Sequence, residues 1–386
     1  MLTPVRIVVA PDSFKGSLSA EDAAVAISEG IARVLPDAEL LLRPIADGGE
    51  GTVAAALRAG YVPLAARVSG PDGRPVDAIV ARDGVTAVVE LATAAGLGQL
   101  SAPAPLTAGT FGVGELLRAA LDDGARRIVL GIGGSATTDG GAGMLQALGV
   151  ALLDADGAEL PAGGAALARL DRVDVSRLDP RIREVELVVA SDVDNPLVGP
   201  TGAAAVFGPQ KGASPADVAE LDAALSRYAA VLARDLGVHV AELPGAGGAG
   251  GTAAGAVAVL GAKVVSGAEL VCDLVGLQEA MDGAALAITG EGALDEQTLS
   301  GKAPSEVARR AAAAGVPCLA VAGVVRLPAE RWADAGFVAA HGLVEVEPDV
   351  QRCLAEPERL LQELAARVLP PHLPAGDQSA SSSPRT

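Results

Sequence analysis

Short, unbroken apolar runs alternate with longer amphipathic stretches along most of the chain. Arg6–Ala10 (RIVVA) has the pattern of a short buried strand. Ser19 then offers an N-cap, with Asp22 three positions on, to a helix reaching about Val34. Glu39–Arg43 reads as a second strand and Glu50–Arg58 as a second helix. Further on, the pattern predicts helix 114–123, strand 127–130, helix 143–148 and strand 150–153. Near the end it predicts strand 284–289, helix 304–314 and strands 317–321 and 337–340. This βαβα rhythm predicts an α/β fold with largely parallel sheets. Two glycine-rich breaks interrupt it: Val68–Pro75 (VSGPDGRP), a candidate domain crossing, and Gly245–Gly251 (GAGGAGG). The Pro/Ser-rich stretch 370–386 reads as a disordered tail.

Composition narrows the picture. At 386 residues the chain is long enough for two or three domains. Half of it is hydrophobic but only 2% aromatic, so the core must be built from Ala, Val, Leu and Ile. The formal net charge of −19 argues against nucleic acid or an anionic membrane as partner, and it requires any anionic substrate to meet local positive charge or a metal ion. The three cysteines form no CxxC pair and the three histidines no metal-ligand spacing, as expected for a reducing, cytoplasmic setting. The opening RIVVAPDSFKG is too short in its apolar run for a signal peptide. The uncharged stretch 243–262 carries seven glycines and a proline and is not expected to span a membrane.

Scarce residues mark the candidate chemistry. Of 29 basic residues only four are lysines, and three of those adjoin glycine in polar segments: Lys15 in SFKGS, Lys211 in GPQKGAS and Lys302 in LSGKAP. A lysine is a compact, mobile point charge suited to following a phosphate, although each could also be an ordinary loop residue. The single asparagine, Asn195, lies in SDVDNPLVGP, where Asp192, Asp194 and Asn195 make either a turn or an oxygen-rich Mg²⁺ or substrate contact. Four loops that follow predicted strands combine glycines with acids and hydroxyls: APDSFKGS, ADGGEGT, GIGGSATTDGG and TGEGALDEQTLSGK. Loops at strand carboxyl ends line ligand crevices in open α/β sheets, and glycine lets backbone amides approach phosphate oxygens. No P-loop is present, because Ala303 follows Lys302. A rival reading takes Gly131, Gly133 and Ala136, with Asp154 beyond the next strand, as a dinucleotide fingerprint. That would make the chain an NAD(P)-dependent hydroxyacid dehydrogenase. A non-catalytic small-molecule sensor is a third reading.

Taken in order, DSFKGS, ADGGEGT, GIGGSATTDGGAG, SDVDNPL, GPQKGA, PGAGGAGG and TGEGALDEQTLSGKAP strongly resemble the bacterial glycerate kinase type 1 family, from about Val5 to Leu369. Thr138 and Ser191 depart from that pattern, where Asn and Cys are usual. The resemblance implies two α/β domains, a Rossmann-like one built from residues 1–72 and 270–369 and an inserted one over 73–269, with the active site in the cleft. It implies ATP-dependent phosphorylation of D-glycerate with Mg²⁺, 2-phosphoglycerate being favoured over 3-phosphoglycerate, in a monomer or homodimer. By motif position, Lys15, Lys211 and Lys302 supply positive charge, and Asp192 orients or deprotonates the attacking hydroxyl. Ser13, Asp47, Gly48, Gly49, Gly133, Gly134, Ser135, Asn195 and Glu291 are candidates for substrate or phosphate contacts, and Asp47, Asp295 and Asp139 for Mg²⁺.

Overall fold

The computed structural model describes residues 4–300 and 302–372. In chain order its strands are β1 (Arg6–Pro11), β2 (Glu39–Leu42), β3 (Val62–Ser69), β4 (Pro75–Asp83), β5 (Thr86–Glu90), β6 (Arg127–Gly131) and β7 (Ala151–Leu153). They continue with β8 (Arg172–Asp174), β9 (Glu186–Ala190), β10 (Lys263–Val265), β11 (Leu286–Leu294), β12 (Cys318–Val325) and β13 (Ala339–Gly342). The chain divides into two compact units. One is formed by the described parts of 1–47 and 268–386, the other by 48–267.

The first unit holds a five-stranded sheet in the order β13-β12-β11-β1-β2, parallel throughout. Counted within the unit this is the doubly wound order 2-1-3-4-5, so successive crossovers leave β1 in one direction and β11 in the other. A crevice must open at the carboxyl ends of that pair, because the flanking connections diverge there. Most residues of the central strands β1, β11 and β12 are buried on both faces, which is why these strands read as apolar runs. Ile7, Val9, Leu286, Ile288, Leu319 and Val321 share a core with helices Ala20–Val34 and Pro357–Val368, while Val8, Ala287 and Ala320 are equally buried. Ser19 caps the first helix as its sequence predicts, its side chain accepting from the Asp22 amide.

The second unit holds a six-stranded sheet in the order β10-β9-β6-β5-β4-β3. β5, β6, β9 and β10 run parallel, but β3-β4 and β4-β5 are antiparallel. This corrects the expected first crossing near residue 72. VSGPDGRP is the turn of the β3-β4 hairpin, closed by Gly70 N to Arg74 O at 2.6 Å, and the units divide at 47/48 and 267/268. Turn chemistry is the same in a hairpin and in a linker, so composition alone could not separate them. β7 pairs only with β8, antiparallel, in a separate ribbon. The uncharged segment supplies the buried helix Gly248–Leu260, and among the described residues no helix is long and apolar enough to cross a membrane. The tail assigned from residue 370 begins as a 3₁₀ turn at Pro370–His372, and 373–386 lie outside the described residues.

With few aromatic rings to fill space, helices must approach closely. At Gly30 an added Cβ would press on the Gln362 carbonyl and lie 2.9 Å from Ala365 Cβ. Alanine favours a helix over glycine by about 1 kcal/mol, but overpacking of this kind costs about 1–3 kcal/mol. Gly30→Ala is therefore expected to lose about 1 kcal/mol of stability in urea unfolding. A gain would mean that the two helices separate freely.

Candidate active site

In the first unit, β1 ends at Pro11 and delivers Asp12, Ser13 and Lys15. The neighbouring β11 carries Glu291 in its carboxyl-terminal half and Asp295 just beyond its end. Lys15 Nζ lies 3.3 Å from Asp47 Oδ2, and the Asp47 carboxylate holds the Lys15 ammonium above its ordinary range. The lysine side chain is 75% exposed, so the pair itself contributes under about 1 kcal/mol. Lys302 Nζ lies 3.6 Å from Glu291 Oε2 and 4.0 Å from Asp295 Oδ1. Glu291 Oε1 accepts from Thr298 Oγ1 at 2.6 Å. Burial pushes the Glu291 carboxyl up, against the Thr298 hydrogen bond and Lys302. Thus Lys15, Asp47, Glu291, Asp295 and Lys302, far apart in sequence, gather at the switch-point strand ends.

Asp12 belongs to the same set and was missed as a site residue. It is 6% exposed, and Oδ1 accepts from Ser13 N at 2.6 Å. Burial, then the Asp47 charge, pushes its carboxyl up to about 7. The available signal was its place directly after the first strand, ahead of Ser13 and Lys15.

In the second unit the glycine loops pack on each other. A Cβ on Gly133 would lie 2.5 Å from Gly49 Cα, one on Gly131 2.7 Å from Gly48 O, and one on Gly48 3.0 Å from Ala190 O. These glycines are therefore needed for backbone contact between loops, whether or not a phosphate binds there. Among the described residues, the amides of Gly134 and Ser135 at the crest of that turn donate to no protein acceptor, and they remain suited to an anion.

Three predicted residues have other duties. Lys211 is 2% exposed, and its Nζ donates to Thr137 O at 2.6 Å and Ser135 Oγ at 3.3 Å. Burial pushes the ammonium down to about 8, with Asp139 opposing. It is a strut behind the Gly131–Gly141 loop. Asp139 is fully buried and accepts from Thr110 N, Thr110 Oγ1, Gly141 N and Gly143 N at 2.8–3.2 Å. Its oxygens are filled by protein donors, which removes it from the Mg²⁺ candidates. Asn195 Nδ2 donates to Thr201 O at 2.9 Å, which favours the turn over ligand contact. Asp192, after β9, is fastened through Oδ1 to Ser266 Oγ at 2.9 Å and Gly267 N at 2.8 Å.

The dinucleotide fingerprint lacks its context. β7 does not pair with β6, and Asp154 closes a local turn by accepting from Asp156 N and Ala158 N. No second parallel strand presents it to a ribose.

A doubly wound sheet with lysines and carboxylates at its switch point, together with a second α/β unit bearing amide-rich turns and no P-loop, defines a class of small-molecule phosphotransferases. The chain belongs to the glycerate kinase family: that family's profile matches residues 7–371. A glycerate kinase from Halalkalibacterium halodurans is 46% identical over 368 residues, 94% of this chain and 97% of that protein. The glycerate 2-kinase of Escherichia coli (strain K12) is 46% identical over 344 residues, 88% of this chain and 89% of that protein. A crystal structure from Salmonella typhimurium LT2, described as a glycerate kinase 2, superposes with TM-score 0.80 at 42% identity, covering 95% of this chain and 97% of that one.

One further buried acid was missed entirely. Glu90, at the end of β5, is 5% exposed, and burial pushes its carboxyl up to about 7, with the Glu50 charge adding to the effect and the Val53 and Gly51 amides opposing. In the unfolded chain the same group ionises near its ordinary value of 4.5. The folded state therefore holds a proton that the unfolded state has released, and stability falls as pH rises from about 4.5 to about 7. Between pH 4.5 and 8 the unfolding free energy of Glu90→Gln is expected to gain about 2–3 kcal/mol on the parent, whatever fixed cost the carboxamide carries. A pH-independent difference in urea unfolding would show that Glu90 titrates normally.

Proposed function

We propose that the chain transfers the γ-phosphoryl group of ATP to the 2-hydroxyl of D-glycerate, giving ADP and 2-phosphoglycerate. The observation that carries this reading is the convergence of Asp12, Lys15, Asp47, Glu291, Asp295 and Lys302 at the ends of β1 and β11. On a chain of net charge −19, two lysines at the carboxyl ends of such strands support the binding of an anionic ligand there. Lys15 and Lys302 are assigned to phosphate or to the glycerate carboxylate. Their present partners are carboxylates at 3.3–4.0 Å, contacts loose enough to be exchanged for a ligand. Asp192 is assigned to orient the glycerate hydroxyl and accept its proton, since two donors hold its carboxylate in place. The Gly134 and Ser135 amides are assigned to phosphate oxygens. Lys211 acts indirectly, through Ser135 and Thr137.

The acids of the first unit also suit Mg²⁺. A buried Asp12 carboxyl facing the charges of Asp47 and Glu291 is relieved by a hard cation. Among the described residues no three acids, histidines or cysteines form a complete metal site, as expected where phosphates supply the remaining oxygens. Asp12 with Asp47, or else Asp295, would hold it or its waters, and bound Mg²⁺ would neutralise charge on the phosphates. Three buried free thiols, Cys272, Cys318 and Cys353, accord with a cytoplasmic location.

A coupled ADP-release assay across a panel of hydroxyacids tests the reading, with ³¹P NMR of the product. D-glycerate is expected to be the preferred acceptor and 2-phosphoglycerate the product. Turnover of NAD(P) with hydroxyacids, or no turnover at all, would overturn the proposal, and 3-phosphoglycerate would overturn the regiochemistry. Within that assay Asp192→Asn is expected to lower kcat by about 10²–10⁴-fold with folding retained. Asp12→Asn is expected to lower it at least about tenfold. An unchanged kcat in either variant removes that residue from the machinery.

A further inference from the structure

We infer that Glu90 is a positioning residue that sets the Gly133–Ser135 turn through the backbone of Gly48–Val53. The inference rests on the reading of that turn as an anion site.

Glu90 Oε2 accepts from both Gly51 N and Val53 N at 3.1 Å. Those donors open helix Thr52–Arg58, whose own N-cap residue, Gly51, has no side chain to cap it. Gly51 adopts φ 97° and Gly48 φ 81°, a path with little intrinsic preference, so an external anchor is needed to define it. The loop held in this way touches the turn directly. Gly48 O accepts from Gly133 N at 3.4 Å, and Gly49 Cα occupies the space a Cβ on Gly133 would need. Glu90 also stands opposite Gly131 in the β5-β6 register, and Leu91 N donates to Gly131 O at 2.8 Å. The Glu90 side chain therefore holds the flank of the turn, while the neighbouring Leu91 amide holds its base. Lys211 Nζ holds the far side through Ser135 Oγ and Thr137 O.

Among the described residues no cation pairs with the Glu90 carboxyl, and the charge nearest in effect is the like-charged Glu50. A buried, unpaired carboxyl is a poor source of stability. Its return is geometric: one oxygen reaches the Gly51 and Val53 amides together, which a shorter side chain cannot do. Loosening it shifts the Gly134 and Ser135 amides, so binding of the anionic group they face is the quantity that changes.

The test is steady-state kinetics with ATP and D-glycerate varied separately, with thermal unfolding of each variant. Glu90→Ala is expected to raise KM for one of the two substrates at least tenfold and leave the other within twofold. Which KM moves distinguishes an ATP phosphate from the glycerate carboxylate as the anion. Glu90→Asp retains the charge but withdraws the acceptor, and it is expected to move the same KM at least threefold, so the proposal stays testable if Glu90→Ala does not fold. Glu90→Gln, which keeps an acceptor oxygen in place, is expected to remain within threefold. A purely structural role would lower the melting temperature and the active fraction, hence kcat, with both KM values unchanged, and would overturn the proposal. Gly133→Ala perturbs the turn itself. If it shifts a KM and the Glu90 variants do not, the positioning role falls and the anion turn stands. If neither moves a KM, the anion turn falls as well.

Discussion

The constraint on which both units depend is close approach of backbone to backbone in a protein with few large side chains. In the second unit Gly131 and Gly133 let the β6 loop rest on Gly48 and Gly49, and Gly48 rests in turn on Ala190. In the first unit Gly290 lies against the Val321 main chain, and a Cβ on Gly292 would come within 3.3 Å of Lys15 N. Each contact sits at or near a strand end that carries a candidate site residue. A side chain at any of these positions would push apart the loops that bring the polar groups together, so packing and chemistry share the same glycines.

The second feature is how buried ionisable groups are used. Asp139 and Lys211 are almost wholly buried, yet each is satisfied by hydrogen bonds, Asp139 to Thr110, Gly141 and Gly143 and Lys211 to Ser135 and Thr137. Glu90 does the same for Gly48–Val53. Such groups contribute little net stability after desolvation, but they impose one backbone path where glycine-rich sequence alone would permit many. The first unit keeps its two candidate lysines more open: Lys15 and Lys302 pair loosely with acids, as groups that exchange partners for a ligand must.

Much of the architecture was legible along the chain. Runs such as RIVVA and the capped helix behind Ser19 follow from local patterning, and β1, helix Ala20–Val34, β6 and β12 fall where that pattern places them. The segments that hold Lys15, Asp47, Glu291 and Lys302 were also visible, because glycine mixed with acids after an apolar run is itself a local signal, although the last of them continues as strand to Leu294 before it becomes a loop. The β3-β4 hairpin was not, since its turn has linker chemistry. Nor was the isolation of β7, since pairing partners are set by sheet order and not by the strand's own residues. Lys211 looked like its fellow lysines in sequence and differs from them only in being enclosed.

By itself, then, the order of motifs determined the family, the α/β class and the loops where polar chemistry collects, because each of these is written in short contiguous stretches. The tertiary structure alone decided which strand ends adjoin, and hence that Asp12 stands with Asp47 and Glu291. It also decided which polar side chains face inward as supports, as Glu90, Asp139 and Lys211 do. Those outcomes depend on strand order and burial, which bring together residues up to nearly three hundred positions apart and leave no mark on the local sequence around any one of them.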